Sequence, residues 1–259
     1  MKIKSALGDK PRTVMLSGRS IPWHRLVVGV NPLVLAWKAR LLEKLYFSPG
    51  EDRPELADLA KKMHGAAVIS VSRDEFEKAG LPDGHQNCAG IVAELPNPDV
   101  TDVVPGSGPS LVVLLAGITD PHNAGAIIRT AAAAGASAVV LPSHRTVEPG
   151  PVLYKASAGY AFRIPVCRGR NLGQVMAELA KADFWSVGSS CGDGASNLRG
   201  FKFPERTILV LGSEGKGVPE KLLEKCDYKV KIPMAEDVES LNVSAAAAVL
   251  SYAWFGGRG

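Results

Sequence analysis

Residues 232–255, which read IPMAEDVESLNVSAAAAVLSYAWF, decide how the carboxy-terminal half of this chain is organised. The stretch leaves the end of an apolar strand, passes through an acidic loop and reaches Ser240, Leu241 and Asn242 just before an alanine-rich segment. Either Ser240 or Asn242 can cap a helix, because its side-chain oxygen can accept from an unpaired first-turn amide. Apolar residues then recur at helical spacing, which predicts a helix over residues 243–255 with one buried face.

Length and composition bound the rest of the interpretation. The 259 residues are 46% hydrophobic and 22% charged, enough for one large domain or two smaller ones with real cores. The four cysteines form no Cys-x-x-Cys pair, and the five histidines show no ligand spacing, so we expect neither disulfides nor a metal. Apolar runs are far shorter than the roughly 20 residues that cross a bilayer. We therefore expect a cytoplasmic protein that does not enter a membrane.

Charge does not decide the class of partner by itself. The formal net charge of +4 is mild, so it neither requires nor excludes nucleic acid. Residues 1–24 form a basic tail, which is an arm that touches RNA phosphates, an organelle-type targeting peptide or a poorly ordered terminus. Basic residues of the first 25 positions are Lys2, Lys4, Lys10, Arg12, Arg19 and Arg25, against the single acid Asp9.

Residues 25–96 alternate between apolar strand patterns and helical patterns, which predicts a small α/β domain. The predicted strands cover residues 25–30, 66–71 and 90–95, and the predicted helices cover 33–47, 54–64 and 73–79. Residues 97–110 are rich in proline and glycine and have little apolar periodicity, so they are predicted to be a linker.

Residues 111–259 predict a second α/β domain with a mostly parallel sheet. Its opening run, residues 111–118, is continuously apolar, as expected of a strand covered on both faces. Further strands are predicted at residues 138–141, 162–166, 184–188, 207–211 and 228–232. Helices are predicted at residues 124–134, 172–181, 219–224 and 243–255.

Three loops after strands of this domain carry unusual chemistry. Ligands of open α/β sheets bind outside the carboxyl ends of strands, so these loops are where a site is expected. The first, TDPHNAGAIIRTAAAAGA (residues 119–136), has Asn123 as a helix cap and Arg129 on a helix of small apolar residues. The arginine is either a snorkelling surface residue or a fixed cation for a phosphate or ribose oxygen.

The second loop, LGSEGKGVPE (residues 211–220), places Glu214 and Lys216 between Gly212, Gly215 and Gly217. Glycines let a ligand approach the backbone, although an ordinary glycine-rich turn with exposed charges has the same composition. The loop is not a Walker A motif, because the glycines are too closely spaced and no serine or threonine follows the lysine. The third loop is the acidic stretch before Ser240.

Together these segments resemble motifs 1, 2 and 3 of the SpoU branch of the SPOUT RNA 2′-O-ribose methyltransferases. The matching stretches are PHNAGAIIRTAAAAGA, LVLGSEGKGVP and IPMAEDVESLNVSAAAAVL. GVNPLVLAW and HQNCAGIVAEL, in the preceding domain, resemble more loosely the ribosomal-protein-like substrate-binding domain of enzymes that methylate a guanosine of 23S ribosomal RNA. There the family usually lacks the inserted Asn87, Cys88 and Ala89.

The resemblance implies an S-adenosyl-L-methionine donor, a deep trefoil knot in the SPOUT domain and a homodimer with helix 243–255 near its interface. It also implies which residues act. Those expected to contact the donor are Gly212, Ile232, Met234 and Leu241, with Met234 at the adenine. Those expected to form the reacting site are Asn123, Arg129, Glu214, Ser240 and Asn242. The motif departs from the family at Glu236 and Asp237, which add negative charge beside a site for RNA.

The implied reaction is attack of a ribose 2′-oxygen on a methyl group bonded to a sulfonium, for which alignment and proton removal are needed. Because guanidinium is always protonated, we expect Arg129 to clamp a phosphate and stabilise developing charge rather than to act as the base, with Glu214 orienting it. Arg163, Arg168 and Arg170 lie near a strand end, where they contact RNA phosphates or are merely solvated.

Three alternatives stay open at this point. A non-catalytic RNA-binding homologue would have a damaged motif, whereas all five reacting-site residues are present. A nucleotide-dependent enzyme would use the glycine-rich loop but lacks the Walker serine or threonine. Transfer RNA is an alternative substrate to ribosomal RNA, because the motifs are shared.

Overall fold

A computed structural model describes residues 13–50, 53–63, 67–192 and 194–257. The strands are β1 (Thr13–Leu16), β2 (Arg19–Pro22), β3 (Leu26–Val28), β4 (Leu42–Phe47), β5 (Val68–Ser70), β6 (Cys88–Val92), β7 (Ser110–Ala116), β8 (Ala138–Pro142), β9 (Val166–Gly169), β10 (Trp185–Ser189), β11 (Ser196–Asn197), β12 (Arg206–Gly212) and β13 (Tyr228–Lys231). The helices are α1 (Val30–Lys38), α2 (Pro54–Lys62), α3 (Arg73–Lys78), α4 (Val100–Val103), α5 (Pro121–Ala133), α6 (Pro151–Ala156), α7 (Leu172–Ala180), α8 (Glu220–Leu223) and α9 (Val243–Gly256).

The amino-terminal region is built on a small mixed sheet in the order β3-β6-β4-β5. β6 runs antiparallel to both β3 and β4, whereas β4 and β5 are parallel. The single helix predicted over residues 33–47 is wrong: α1 ends at Lys38, Arg40 adopts a positive φ of 60°, and the chain returns as β4. Leu42, Leu45 and Tyr46 satisfy helical spacing, but pairing with two strands overrides that local pattern.

The basic tail predicted for residues 1–24 is structured in its second half. β1 and β2 form an antiparallel pair, and Val14, Leu16 and Ile21 are buried against the small sheet. Residues 1–12 lie outside the described ranges. The segment expected to be a linker is also partly ordered, since Asp99 caps α4 by accepting from the Thr101 amide at 2.9 Å.

The carboxy-terminal region holds a seven-stranded sheet in the order β11-β13-β10-β12-β7-β8-β9, and every pairing in it is parallel. The chain runs outward from β7 to β9, then crosses back to build β10, β12 and β13 on the other side of β7. The predicted strand at residues 162–166 is displaced: Tyr160–Phe162 is a 3-10 helix, and β9 starts only after Pro165. Proline lacks the amide that a ladder needs and therefore precedes the strand.

Side chains of the large sheet alternate between two cores, which explains its continuous apolar strands. Leu111, Val113 and Leu115 of β7 face a cluster that also holds α5, α9 and helix α1 of the small domain. Val112 and Leu114 face a second cluster covered by α7. The first cluster therefore joins the amino-terminal and carboxy-terminal regions through one apolar interior.

The deep knot implied by the resemblance stays a prediction, because strand order does not report threading. Among the helices of the described ranges, none is long and apolar enough to span a lipid bilayer. Those ranges likewise contain no group of three or more histidine, cysteine, aspartate or glutamate side chains arranged to hold a metal ion.

Candidate active site

Three separate segments meet at the carboxyl end of the large sheet through their polar side chains. The Asn123 amide donates to Glu214 Oε1 at 3.2 Å, and the Asn242 amide donates to Asn123 Oδ1 at 3.1 Å. Asn242 Nδ2 also donates to Glu214 Oε1. These residues are 28 to 119 positions apart in sequence, so this three-residue cluster is a product of the tertiary fold.

The way in which α5 and α9 are capped leaves the side-chain amides of Asn123 and Asn242 available to this cluster. Asn123 was expected to cap α5, but the cap is Asp120, whose Oδ1 accepts from the His122 amide at 3.0 Å. Asn123 therefore lies in the first turn with its amide available to Glu214. Asn242 does cap α9, as one of the two sequence alternatives, and its Oδ1 accepts from Ser244 N at 2.8 Å while Nδ2 turns to the cluster.

The glycine-rich loop after β12 is a tight reversal held by its own backbone. Ser213 N donates to Gly217 O at 3.1 Å, and Gly217 N donates to Ser213 O at 2.9 Å. A Cβ on Gly212 would lie 1.9 Å from the carbonyl carbon of Gly217, so only glycine permits this fold of the loop. Gly215 and Gly217 have φ of +76° and +65°, values that suit glycine. The loop thus sets Glu214 at a fixed place.

A cleft of about 640 Å³ opens beside the cluster, between the carboxyl ends of β10, β12 and β13 and the start of α9. Its lining includes all four residues predicted to contact a cofactor and three of the five predicted to react. These residues are Gly212, Ile232, Met234 and Leu241, together with Glu214, Ser240 and Asn242. The roles assigned to them stay predictions, but their convergence on one cleft is a property of the fold.

The cleft suits a molecule such as S-adenosylmethionine. Its volume is within the roughly 300–1,000 Å³ range of small-molecule sites. Ile232, Met234 and Leu241 offer apolar contact for an adenine, while backbone groups of the glycine-rich loop are accessible because no side chains cover them. Ser240 and Asn242 supply polar groups at the same wall.

Arg129 is not part of this cleft. It lies on α5, six residues after Asn123, and its side chain is exposed. Glu214 was expected to orient it, but among the described residues no hydrogen bond or ion pair joins the two, and the Glu214 Oε1 atom is occupied by amides. Two asparagine amides therefore hold the glutamate in place, and Arg129 is not one of its partners.

The end of β10 and the loop after it supply lining residues that the sequence interpretation missed: Ser189, Ser190, Cys191 and Gly192. The strand itself was predicted, so the general rule that ligands bind outside strand carboxyl ends was sufficient to find this loop. Lys216 and Glu239 also line the cleft and bring opposite charges to its wall.

The family model described as the SpoU rRNA Methylase family matches residues 110–252. An uncharacterised tRNA/rRNA methyltransferase of Mycolicibacterium gilvum is 36% identical over 236 residues, covering 87% of this chain and 74% of that protein. The 23S rRNA (guanosine-2′-O-)-methyltransferase RlmB of Ralstonia nicotianae is 34% identical over 236 residues, covering 87% of this chain and 92% of that protein.

Among solved structures, the SpoU methyltransferase AviRb of Streptomyces viridochromogenes, in complex with the cofactor AdoMet, superposes with a TM-score of 0.76. It is 28% identical, and the match covers 90% of each chain. More than half of the chain thus fits the family model, and relatives above 30% identity extend through both domains. The chain belongs to the SpoU rRNA methylase family.

Proposed function

We propose that this protein transfers a methyl group from S-adenosylmethionine to a ribose 2′-hydroxyl of RNA, and that its substrate is a guanosine of 23S ribosomal RNA. The observation that carries the proposal is the bonded cluster of Asn123, Glu214 and Asn242 at the rim of the cleft. Support for ribosomal RNA comes from the Ralstonia relative, whose similarity extends across the small domain as well as the catalytic one.

The cofactor supplies an electrophilic methyl group on its sulfonium sulfur. The chain must place a ribose oxygen in line with that group and draw away its proton. Amides of Asn123 and Asn242 donate to Glu214 Oε1, and Oε2 is available to accept from another donor such as a ribose hydroxyl. Because two asparagine amides already hold the Glu214 carboxylate, little free energy is needed to position it when RNA binds.

Arg129 acts, in this proposal, as a cation for a phosphate next to the reacting ribose. Guanidinium cannot serve as a base at neutral pH, but it binds phosphate in a bidentate manner and stabilises negative charge that develops on an oxygen. Because its side chain lies outside the cleft of its own chain, we infer that it completes the site of a second copy.

A homodimer is therefore part of the proposal, and α9 offers a surface for it. Val249, Tyr252 and Phe255 are 40%, 50% and 45% exposed and form an apolar stripe on the outward side of the helix. α5, which carries Arg129, packs directly against α9. A contact between two copies along α9 would bury the stripe and bring α5 close to the partner's catalytic elements. We place this enzyme in the cytoplasm, where it would meet ribosomal RNA.

The test is methyl transfer from labelled S-adenosylmethionine to 23S ribosomal RNA, with the modified ribose mapped by primer extension. Transfer RNA is tested in parallel, because the Mycolicibacterium relative is named for both RNA classes. Label in a ribose of 23S ribosomal RNA, and its loss with Glu214→Ala, is the expected result. If label appeared only in transfer RNA, transfer RNA would be the substrate instead of ribosomal RNA. If no RNA were labelled, the proposed activity would be refuted.

A further inference from the structure

Two aromatic side chains are exposed at the amino end of the large sheet, opposite the cleft. Trp185 begins β10 and Tyr228 begins β13, and they are 49% and 40% exposed. Val187 is the register partner of Tyr228, and Trp185 lies two residues earlier, so both rings project from the same face of the sheet. Large exposed aromatics in adjacent strands indicate a contact surface rather than chance exposure.

The rings form a connected and well-supported surface. The Trp185 and Tyr228 ring centroids are 6.1 Å apart, and Phe201 meets Tyr228 at 5.7 Å and Phe203 at 4.9 Å. Phe201 and Phe203 are half-buried against the main core, so Phe203 supports Phe201 and Phe201 supports Tyr228. We call Trp185, Phe201, Phe203 and Tyr228 the aromatic surface.

The backbone under Trp185 is also fixed. Its neighbour Phe184 is buried, and the Arg206 guanidinium lies 4.4 Å from the centre of the Phe184 ring. Arg206 in turn donates to the carbonyls of Ala182, Gly108 and Pro105. A platform that is ordered in advance loses little conformational entropy when a ligand stacks on it.

Two basic residues lie beside the aromatic surface. The segment 198–203, which contributes two of its rings, contains Arg199 and Lys202 and no acidic residue. Lys229 and Lys231 alternate with Tyr228 along β13 and therefore project from the opposite face of the sheet. Neither Arg199 nor Lys202 forms an ion pair with another residue in the described parts of the chain. Nearby acids are Asp183, Glu205 and Asp227, and Asp227 already accepts from Ser186 N and Oγ at 2.8 and 2.6 Å.

Exposed rings with arginine and lysine beside them are a combination that binds single-stranded nucleic acid, because bases stack on the rings while the basic side chains meet the phosphates. A second protein copy would find the basic residues unfavourable to bury, whereas α9 already offers an uncharged stripe. β10 contains five residues, so at about 3.3 Å per residue the surface is roughly 13 Å along the strand from Ser189 in the cleft. One RNA chain can therefore reach both.

We propose that the aromatic surface binds unpaired bases of the RNA substrate away from the methylated ribose. The inference rests on the proposed function for the identity of the substrate, but its physical basis is independent of the methyl-transfer step. The surface adds affinity for RNA with unpaired nucleotides near the target, and it leaves cofactor binding and the chemical step unchanged.

The experiment compares Trp185→Leu and Tyr228→Leu with Trp185→Phe and Tyr228→Phe in the full chain, using a short fluorescent oligoadenylate and the 23S ribosomal RNA transcript as probes. Loss of one base–ring stack corresponds to roughly a fivefold to hundredfold rise in Kd. We expect that rise for the leucine variants and recovery for the phenylalanine variants, since phenylalanine keeps the ring. Met15→Ala is the matched control, because Met15 is 58% exposed and distant in sequence from the surface.

Kinetics and oligomeric state distinguish the remaining outcomes. We expect the leucine variants to raise KM for RNA while kcat, S-adenosylmethionine affinity and sedimentation stay unchanged. Wild-type RNA affinity in the leucine variants would overturn the proposal, and so would a change in oligomeric state, which would assign the surface to a second copy. If wild-type protein transfers no methyl group but oligoadenylate binding still depends on both rings, the proposed function fails and this inference stands.

Discussion

The candidate cleft and the seam between the amino-terminal and carboxy-terminal regions are built in opposite ways. At the seam, Tyr154 is 1% exposed, donates its hydroxyl proton to His24 O at 2.9 Å and packs on Phe162 with ring centroids 4.6 Å apart. At the cleft, Glu214, Ser240 and Asn242 are all exposed, and the lining mixes glycines with polar and apolar side chains. The seam is held by packing, whereas the cleft is held by a few directed hydrogen bonds.

From this difference we expect that substitutions at the seam and at the cleft affect different properties, stability in the first case and activity in the second. Seam substitutions leave cavities or clashes in a continuous core, so they lower the free energy of unfolding. Cleft substitutions disturb little packing, so they affect turnover with small effects on stability. The following substitutions test that separation, from the largest expected effect to the smallest.

Arg129→Ala should reduce turnover by about 10²–10³-fold or more, because in the proposed mechanism it removes a cation that stabilises charge in the transition state. S-adenosylmethionine affinity and thermal stability should stay near wild type, because Arg129 is exposed and outside the cleft. Methyl-transfer assays and calorimetry measure the two effects. Unchanged turnover would remove Arg129 from the mechanism.

Co-expression of Arg129→Ala and Glu214→Ala chains tests whether Arg129 of one copy serves the cleft of the other. If the arginine of one copy serves the cleft of the other, a heterodimer contains one intact site and should regain about half of wild-type activity. If both residues act within one chain, every site in the heterodimer is damaged and activity stays at the background of the single variants. Differently tagged chains allow the heterodimer to be isolated and assayed.

Gly159→Ala should destabilise the protein by about 2–5 kcal/mol without changing cofactor affinity. Gly159 has a φ of +85°, and a Cβ there would lie 2.7 Å from the Pro32 Cα across the seam. Left-handed backbone costs alanine about 1–2 kcal/mol, and overpacking adds about 1–3 kcal/mol. Gly80→Ala is the control, because its φ of +67° is similar and no atom lies within 4 Å. Equal destabilisation of the two variants in urea would argue against a packed seam.

Tyr154→Phe should cost about 1 kcal/mol, since it removes one hydrogen bond and keeps the buried ring. For a chain of this size the corresponding fall in Tm is about 2–4 °C. Tyr252→Phe serves as the comparison, because Tyr252 is 50% exposed. A smaller loss for Tyr154→Phe than for Tyr252→Phe would show that the seam does not depend on this contact.

Thiol labelling has the smallest expected effect of these tests, because it uses the wild-type protein and needs no substitution. Burial raises the pKa of the Cys167 and Cys226 thiols to about 11, so at a pH near 8 both remain protonated and unreactive. Cys88 is buried as well, whereas Cys191 is exposed and lines the cleft. We expect mass spectrometry to find label at Cys191 first, and S-adenosylmethionine to slow it. Equal labelling with and without cofactor would place the cofactor elsewhere.

Much of the fold was predictable because its local signals agreed with its tertiary structure. The apolar run that became β7 is buried on both faces, and Asn242 caps α9 where a polar residue preceded the alanines. Prediction failed where long-range contacts overrode local pattern. The residues of β4 have helical spacing, but the segment pairs with two strands. The expected tail contains β1 and β2, whose apolar side chains pack in a core that exists only once the small sheet has folded.

The sequence by itself determined the family, the three loops and the residue types that line the cleft, because each loop follows a strand with a strong local signature. Only the tertiary structure decided that Asn123, Glu214 and Asn242 share hydrogen bonds, that Arg129 is not among the residues lining the cleft, and that the amino-terminal and carboxy-terminal regions share one core. The physical reason is that a motif specifies local backbone, whereas hydrogen bonds between distant segments exist only after strand order brings their ends together.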